Sequence, residues 1–322
     1  MLKNSLITFI FLQFSLLLSA QQERSAFHFL QLPYSSHASA LGGENVSIIA
    51  DDLAMSIQNP ALLTNVSNKS LLLNYMYYMR GVNVAGAAYT QTIKERSNWG
   101  VSAQYIDYGS FKETNIDNTL SGTFTAKDIT LSALYSYALS NTWSGGVRTN
   151  FIYSHYDIYN SFAIGFDLGL NYYNEAKDFS FSIVAKNLGG QLKTFEEQRE
   201  KMPVNLLLGI SKGMTHAPFR FSLTLHDLTH WSSSLSEVKG WGEKFLSHIA
   251  LGIDYLPTGN TYIALGYNFR RGQEMKVSGS NHWAGITAGA GIQLKRFKIG
   301  VNYAKLHVSA SSLQFNLAYT LL

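Results

Sequence analysis

Chemistry in this chain would have to come from histidine, serine and carboxylate side chains, because there is no cysteine anywhere among the 322 residues. That one absence removes disulfides, thiolate metal sites, cysteine nucleophiles and an acylated lipoprotein N-terminus. His226 precedes Asp227, and His155 lies two residues before Asp157. A histidine beside a carboxylate is the base and orienter of a nucleophilic site, lacking only a serine. Neither pair lies in a recognisable nucleophile motif, so polar groups at a strand end or loop base account for both and no enzyme is expected. Asp51 and Asp52 could together ligate calcium, which favours paired carboxylates with carbonyl oxygens. No D-x-D-x-D-G loop surrounds them, and a carboxylate there also suits the N-cap of the short apolar stretch 53–57. No H-E-x-x-H motif occurs, and neither a metal nor a cofactor is expected.

The elements that would position these groups alternate with period two. Leu313, Phe315, Leu317, Tyr319 and Leu321 interleave with Ser312, Gln314, Asn316, Ala318 and Thr320. Ile164, Phe166, Leu168 and Leu170 interleave in the same way with Gly165, Asp167, Gly169 and Asn171. Successive strand side chains point to opposite faces, so each run has one apolar face and one small or polar face. A soluble sandwich turns its apolar face inward and carries many Lys and Glu outside. Only 14% of this chain is charged, and its polar positions are mostly Gly, Ala, Ser, Thr and Asn. The expected fold is therefore all-β, a transmembrane antiparallel β-barrel whose polar face lines the interior.

Alternating runs between turn signals number about fourteen, near 70–79, 82–93, 98–108, 127–139, 142–154, 162–174, 178–187, 203–212, 218–228, 244–256, 260–270, 283–294, 297–304 and 312–321. The even-to-odd connections are all short, whereas those at 109–126, 188–202, 229–243 and 271–282 are long. Outer-membrane barrels show this asymmetry, with short periplasmic turns and long outer loops. Tyr75, Tyr77, Trp99, Tyr105 and Tyr108 lie toward strand ends, where interfacial girdles belong.

Residues 1–20 read as a signal peptide, with Lys3, an apolar run at 6–18 and small residues before Gln21, so the destination is the cell outer membrane. The net charge of +4 has no basic stripe, which excludes a nucleic-acid tracking surface. Residues 21–69 do not alternate and are too long for an idle linker, so they read as a plug ahead of a barrel at 70–322. Their landmarks are Ala40, Leu41, Gly42 and Gly43, then Asp51 and Asp52, then Asn59 and Pro60. The glycines permit positive φ and close backbone approach, and Asn59-Pro60 would end the capped helix. The inward charges Asp167, Lys186, Arg220, Asp254 and Lys298 would pair with this plug. Phe195, Arg199, Trp231 and Trp241 give the long loops an aromatic and charged surface suited to a protein partner.

The run Ala38-Ser39-Ala40-Leu41-Gly42-Gly43, the acidic pair and the Asn59-Pro60-Ala61-Leu62-Leu63 turn together resemble the FadL-type barrels, most of all the branch that holds the type IX secretion proteins PorV and PorQ. Phe27-His28-Phe29-Leu30-Gln31-Leu32-Pro33 is similar to the F-x-F-L-x-L-P start of PorQ. The likeness is specific over 26–66 and architectural beyond. It implies a non-enzymatic outer-membrane subunit that anchors a cell-surface attachment complex, holding a PorZ-like protein beside a PorU-like sortase, a PorV-like barrel and a lipopolysaccharide-binding subunit. The same resemblance leaves two alternatives open, a PorV-like cargo shuttle and a FadL-like diffusive transporter of hydrophobic small molecules.

Overall fold

The structure is a computed structural model, described here for residues 25–321 apart from 80, 115–116, 118, 198, 231–239, 275–283 and 308–309. The signal-peptide stretch and Trp231 fall outside these residues. Fourteen strands form the wall: β1 (Ser70–Met79), β2 (Val82–Lys94), β3 (Ser97–Thr114), β4 (Leu120–Ala138), β5 (Trp143–Tyr156), β6 (Tyr159–Asn174), β7 (Phe179–Lys193), β8 (Asn205–Gly213), β9 (Phe219–Leu225), β10 (Ile249–Thr258), β11 (Thr261–Asn268), β12 (Ile286–Leu294), β13 (Phe297–His307) and β14 (Ala310–Thr320). Each pairs antiparallel with its sequence neighbours, and β1 closes on β14 from Ser70↔Thr320 to Tyr77↔Leu313, leaving no free edge. No helix among the described residues is long and apolar enough to cross a membrane, which has no bearing on strands.

The period-two pattern sorts as the polar-inside arrangement requires. In β1 and β14, Leu71, Leu73, Leu313, Phe315 and Leu317 are exposed, while Ser70, Asn74, Ser312, Gln314 and Asn316 are buried. Apolar outside and polar inside is the reverse of a soluble core, and it matches a wall surrounded by hydrocarbon.

The wall is uneven in height, and here the sequence expectation needs correcting. β3 and β4 run to 18 and 19 residues, so most of 109–126 is strand and not loop. A register shift between Asp107 and Ser110, with Gly109 at φ 81°, breaks the alternation that would have betrayed the strand. Beyond the bulge the pair continues, with Phe111 stacked on Phe124 at 5.2 Å. β7 likewise extends to Lys193 past a bulge at Lys186 and Asn187, the latter at φ 59°. β9 by contrast has 7 residues and ends at Leu225, because Asp227 turns the chain at φ 55°. Short helices Trp241–Leu246 and Phe269–Glu274 lie within two of the long connections.

The chain ahead of β1 folds inside the wall. A 3-10 turn at Ala26–Gln31 sits toward the end bearing the long loops, and helices Ser36–Ala40 and Leu53–Gln58 follow deeper in. Asp52 caps the second helix by accepting from the Ala54 N–H at 2.8 Å. Asn59 ends that helix, and its Oδ1 accepts from the Ala61 N–H at 3.1 Å to start the 3-10 turn Pro60–Asn65.

Candidate functional site in the barrel lumen

Irregular backbone buried away from water must find hydrogen-bond partners, and the inward face of the wall supplies them. Asn74 and Gln314 side chains each donate to the Tyr34 carbonyl at 2.7 Å, and Asn316 accepts from the Ser36 N–H at 3.0 Å. Thr287 donates to the Ala40 carbonyl at 2.7 Å, Asn268 to that of Gly42 at 3.0 Å, and Asn98 to that of Leu63 at 2.8 Å. Ser211 and Ser144 do the same for Ser47 and Ala61. The small polar residues of the strands are thus partners for another stretch of chain, where the sequence had suggested only something small or wet.

Inward glycines let that stretch approach the wall. A Cβ on Gly266 would lie 2.2 Å from the Gly42 nitrogen and 2.5 Å from the Leu41 carbonyl carbon. One on Gly146 would meet the Pro60 carbonyl carbon at 2.3 Å, and one on Gly169 the Asn59 amide oxygen at 2.2 Å. Gly86, Gly209, Gly252 and Gly300 face Tyr34, Val46, Leu41 and Ser36 in the same way. Gly42 and Gly43 themselves, at φ 94° and 98°, turn the chain after helix Ser36–Ala40, and the Arg271 guanidinium fills the space a Gly43 side chain would need.

The half of the lumen nearest the long loops has a different lining. Inward Met76, Val84, Ile106, Ile152 and Met202 are buried, and Phe27 and Phe29 of the N-terminal segment pack among them. Leu30, Leu32 and Tyr78 pack against the same cluster. The expectation that inward positions are mostly small and polar does not hold in this half of the lumen. Met76 and Ile106 carry the signal, since each is a large apolar residue at a position where its strand's alternation calls for a small or polar one.

Several charged groups are paired within the lumen. Arg220 donates to Asp254 at 2.8 Å and to the Ile49 carbonyl at 3.1 Å, while His37 meets the other Asp254 oxygen at 2.8 Å. Lys298 donates to the Asp51 carbonyl at 2.8 Å and forms an ion pair with its carboxylate at 2.5 Å. Burial pushes the Asp51 carboxyl up, but Lys298 and hydrogen bonds from Ser67 outweigh it and hold the group below the usual carboxylate range. For Asp52 burial prevails and the carboxyl is raised. Asp167 pairs with Arg148 and with the Asn187 N–H, so it serves the wall where the sequence expected a partner on the plug.

Of the other sequence candidates, Ala40 and Leu41 lie under the glycines, and Asn59 and Pro60 against β5 and β6. Asp51 and Asp52 diverge, one to Lys298 and one to its helix cap. Phe195 stacks on Tyr156 at 5.1 Å, Arg199 is exposed, and Trp241 is 76% exposed and stacked on Phe245. His155 hydrogen-bonds Asn160 at 2.7 Å. His226 and His230 do stand at the H-x-x-x-H spacing, but beyond a strand end, where His230 pairs with Asp227 at 2.6 Å and His226 lies 3.9 Å from Glu44. No group of three potential metal ligands occurs among the described residues. Sequence reasoning missed Arg148, His37 and Asp128; the last accepts from the hydroxyls of Tyr108 at 2.6 Å and Tyr156 at 2.9 Å.

Two further spaces bear on function. One of about 310 Å³, at the short-turn end of the lumen, is lined by His37, Asp51, Arg220, Tyr262 and Lys298. The other is a groove of about 700 Å³ lined almost wholly by apolar atoms, which includes outward Leu71, Leu73, Val101, Leu131 and Phe151.

No protein-family model matches the chain. The long-chain fatty acid transport proteins of Escherichia coli (strain K12) and Shigella flexneri are 25% identical to it over 162 residues, covering 43% of this chain and 36% of theirs. The chain thus spans only about a third of the length of these curated relatives. Among solved structures, the CymD monoaromatic hydrocarbon channel superposes with a TM-score of 0.56 at 13% identity, covering 91% of this chain and 97% of that one. The Pseudomonas putida toluene transporter TodX gives 0.54 at 13%, covering 89% and 97%, and a Pseudomonas aeruginosa FadL homologue 0.51 at 11%, covering 88% and 97%. The chain therefore has the fold of these fourteen-stranded outer-membrane barrels.

Proposed function

We propose that this chain is an outer-membrane channel for hydrophobic small molecules, with its binding site in the half of the lumen nearest the long loops. The observation that carries this reading is the apolar lining of Met76, Val84, Ile106, Ile152 and Met202, occupied by Phe27 and Phe29 of the chain's own N-terminal segment. A purely structural anchor needs no such lining. A pocket that binds a hydrocarbon does need convergent apolar side chains. The compounds named for the related proteins, long-chain fatty acids, toluene and monoaromatic hydrocarbons, belong to the same class. In this reading residues 25–69 act as a plug, the long loops face outward, and a solute enters by displacing the two phenylalanines. Uptake of a labelled fatty acid or alkylbenzene by cells expressing the wild type or the double variant Phe27→Ala/Phe29→Ala tests it. Faster uptake by the variant supports the channel, and uptake equal to that of cells without the protein in both cases rejects it.

A second reading, an anchor for a cell-surface complex of the type IX kind, rests on a different observation. The tall β3 to β7 side carries exposed Phe111, Leu120, Ile158 and Leu192 near the long-loop rim. Apolar side chains there suit a protein partner such as a PorZ-like subunit. Pull-down of tagged protein from solubilised outer membranes separates the readings, since an anchor retains a surface partner that Phe111→Ser and Leu120→Ser release.

A further inference from the structure

We propose that the lumen holds a small monovalent anion of halide size, bound where the N-terminal segment meets β3, β5 and β7. A cavity of about 20 Å³, room for one particle the size of a water or a chloride, is lined by Tyr34, Gln58, Gln104, Arg148, Asn150 and Lys186.

Two side-chain donors in the wall of this cavity lack partners. Arg148 is buried, with Nη1 donating to the Ile57 carbonyl at 3.0 Å and to Asp167 at 3.5 Å and Nη2 donating to Ser132 at 3.1 Å. Its Nε–H has no partner among the described residues. Gln58 is 4% exposed, and its Nε2 is likewise without a partner. Asn150 is spent in both directions, its Oδ1 accepting from Ser132 at 2.7 Å and its Nδ2 donating to Asp167 at 3.1 Å. The orphan groups in the wall of the cavity are therefore donors.

Two cations, Arg148 and Lys186, line the cavity, while the carboxylates that act on Lys186, Asp167 and Glu44, are not part of its lining. Asp167 is itself held by Arg148, Asn150 and the Asn187 N–H. Buried charge inside a membrane barrel is costly unless matched. A water could accept from the two orphan donors, but it would bring two protons of its own and no charge. An anion satisfies both donors and places negative charge beside the two cations that line the cavity. Because Gln58 closes helix Leu53–Gln58 and Arg148 holds the carbonyl of Ile57, the ion would tie the N-terminal segment to the wall.

Crystals of the purified full-length barrel grown in bromide in place of chloride test this directly. The expected result is an anomalous peak inside the cavity within hydrogen-bond reach of Arg148 Nε and Gln58 Nε2. Electron density there without anomalous signal would identify a water and overturn the proposal, as would an empty cavity. A second measurement uses thermal melting at matched ionic strength. The wild type should melt several degrees higher in chloride than in gluconate, which is too large for the cavity. Gln58→Glu, which brings its own carboxylate to the site, should lose that difference. A wild type indifferent to the anion would count against the site, and the bromide result on the unmodified protein stands even where a variant fails to fold.

Discussion

Replacing Gly266 by valine should undock the N-terminal segment while leaving the wall closed. The new Cβ would fall 2.2 Å from the Gly42 nitrogen, 2.5 Å from the Leu41 carbonyl carbon and 2.6 Å from the Ala40 oxygen. These are all backbone atoms, so no side chain can rotate out of the way. Overpacking of this kind costs about 1–3 kcal/mol even where the surroundings relax. Relaxation here means pulling Ala40 to Gly42 off the wall, which breaks the bonds between Thr287 and Ala40, between Thr287 and the Gly42 N–H, and between Asn268 and Gly42. Each is worth about 1 kcal/mol. The combined penalty on docking is on the order of 4–6 kcal/mol, enough to expose the segment for a measurable fraction of the time. Gly190→Val serves as the control, because nothing lies within 4 Å of its added Cβ. The assay is limited proteolysis of the reconstituted barrel, followed at bonds within 25–69, with single-channel conductance as a second readout. The Gly266 variant should be cut faster and conduct more, and the Gly190 variant should match the wild type. Equal behaviour of the two variants would mean that the glycines do not seat the segment.

On the outward face, Leu168→Arg should cost about 2–4 kcal/mol in a folding assay in lipid, as expected for a cation at the hydrocarbon midplane, whereas conservative Leu168→Ile should be tolerated. Asp51 stays ionised below the usual carboxylate range because Lys298 and Ser67 overcome its burial, so the stability it contributes is complete above its unfolded value of 3.8 and is lost only as pH falls through the lowered folded value. Thermal melts should therefore show no pH dependence from this group between pH 5 and 8, and Lys298→Met should move the acid loss to higher pH. A cysteine at Ile158, which is 74% exposed in a connection at the long-loop end, should be labelled on intact cells, and one at Lys177, in a short turn, should not. Labelling of both would reverse or remove the proposed orientation.

The wall was legible because lipid and lumen impose a strict alternation, as Leu313 to Leu317 and Ser312 to Asn316 display. Strand ends were less so, and the two strands that ran past their expected ends share a cause. At Gly109 and at Asn187 a bulge inserts residues that flip the alternation, so β3 and β7 seemed to stop early. The helix caps at Asp52 and Asn59 were readable from residue type and position, since a cap acts on backbone two residues away. The lumen itself was not. Asn74, Gln314 and Thr287 read only as polar strand positions, because their partners at Tyr34 and Ala40 lie more than 39 residues away and nothing local records the pairing. Met76 and Ile106 are apolar residues on the polar face, but recognising them as a lining needs Phe27 and Phe29 in place between them.

The central claim is that the lumen near the long loops, and not the outer wall, receives a hydrophobic molecule. Photo-crosslinking with a diazirine-bearing alkyl probe, followed by peptide mapping on the reconstituted protein, tests it most directly. The channel reading expects adducts on Met76, Ile106, Ile152 or Met202 that increase in Phe27→Ala/Phe29→Ala and are competed by an excess of unlabelled alkylbenzene. Adducts confined to outward residues such as Leu73, Val101 and Phe151, unchanged by the variant and not competed, would show that the probe only samples the lipid-facing groove and would contradict the claim.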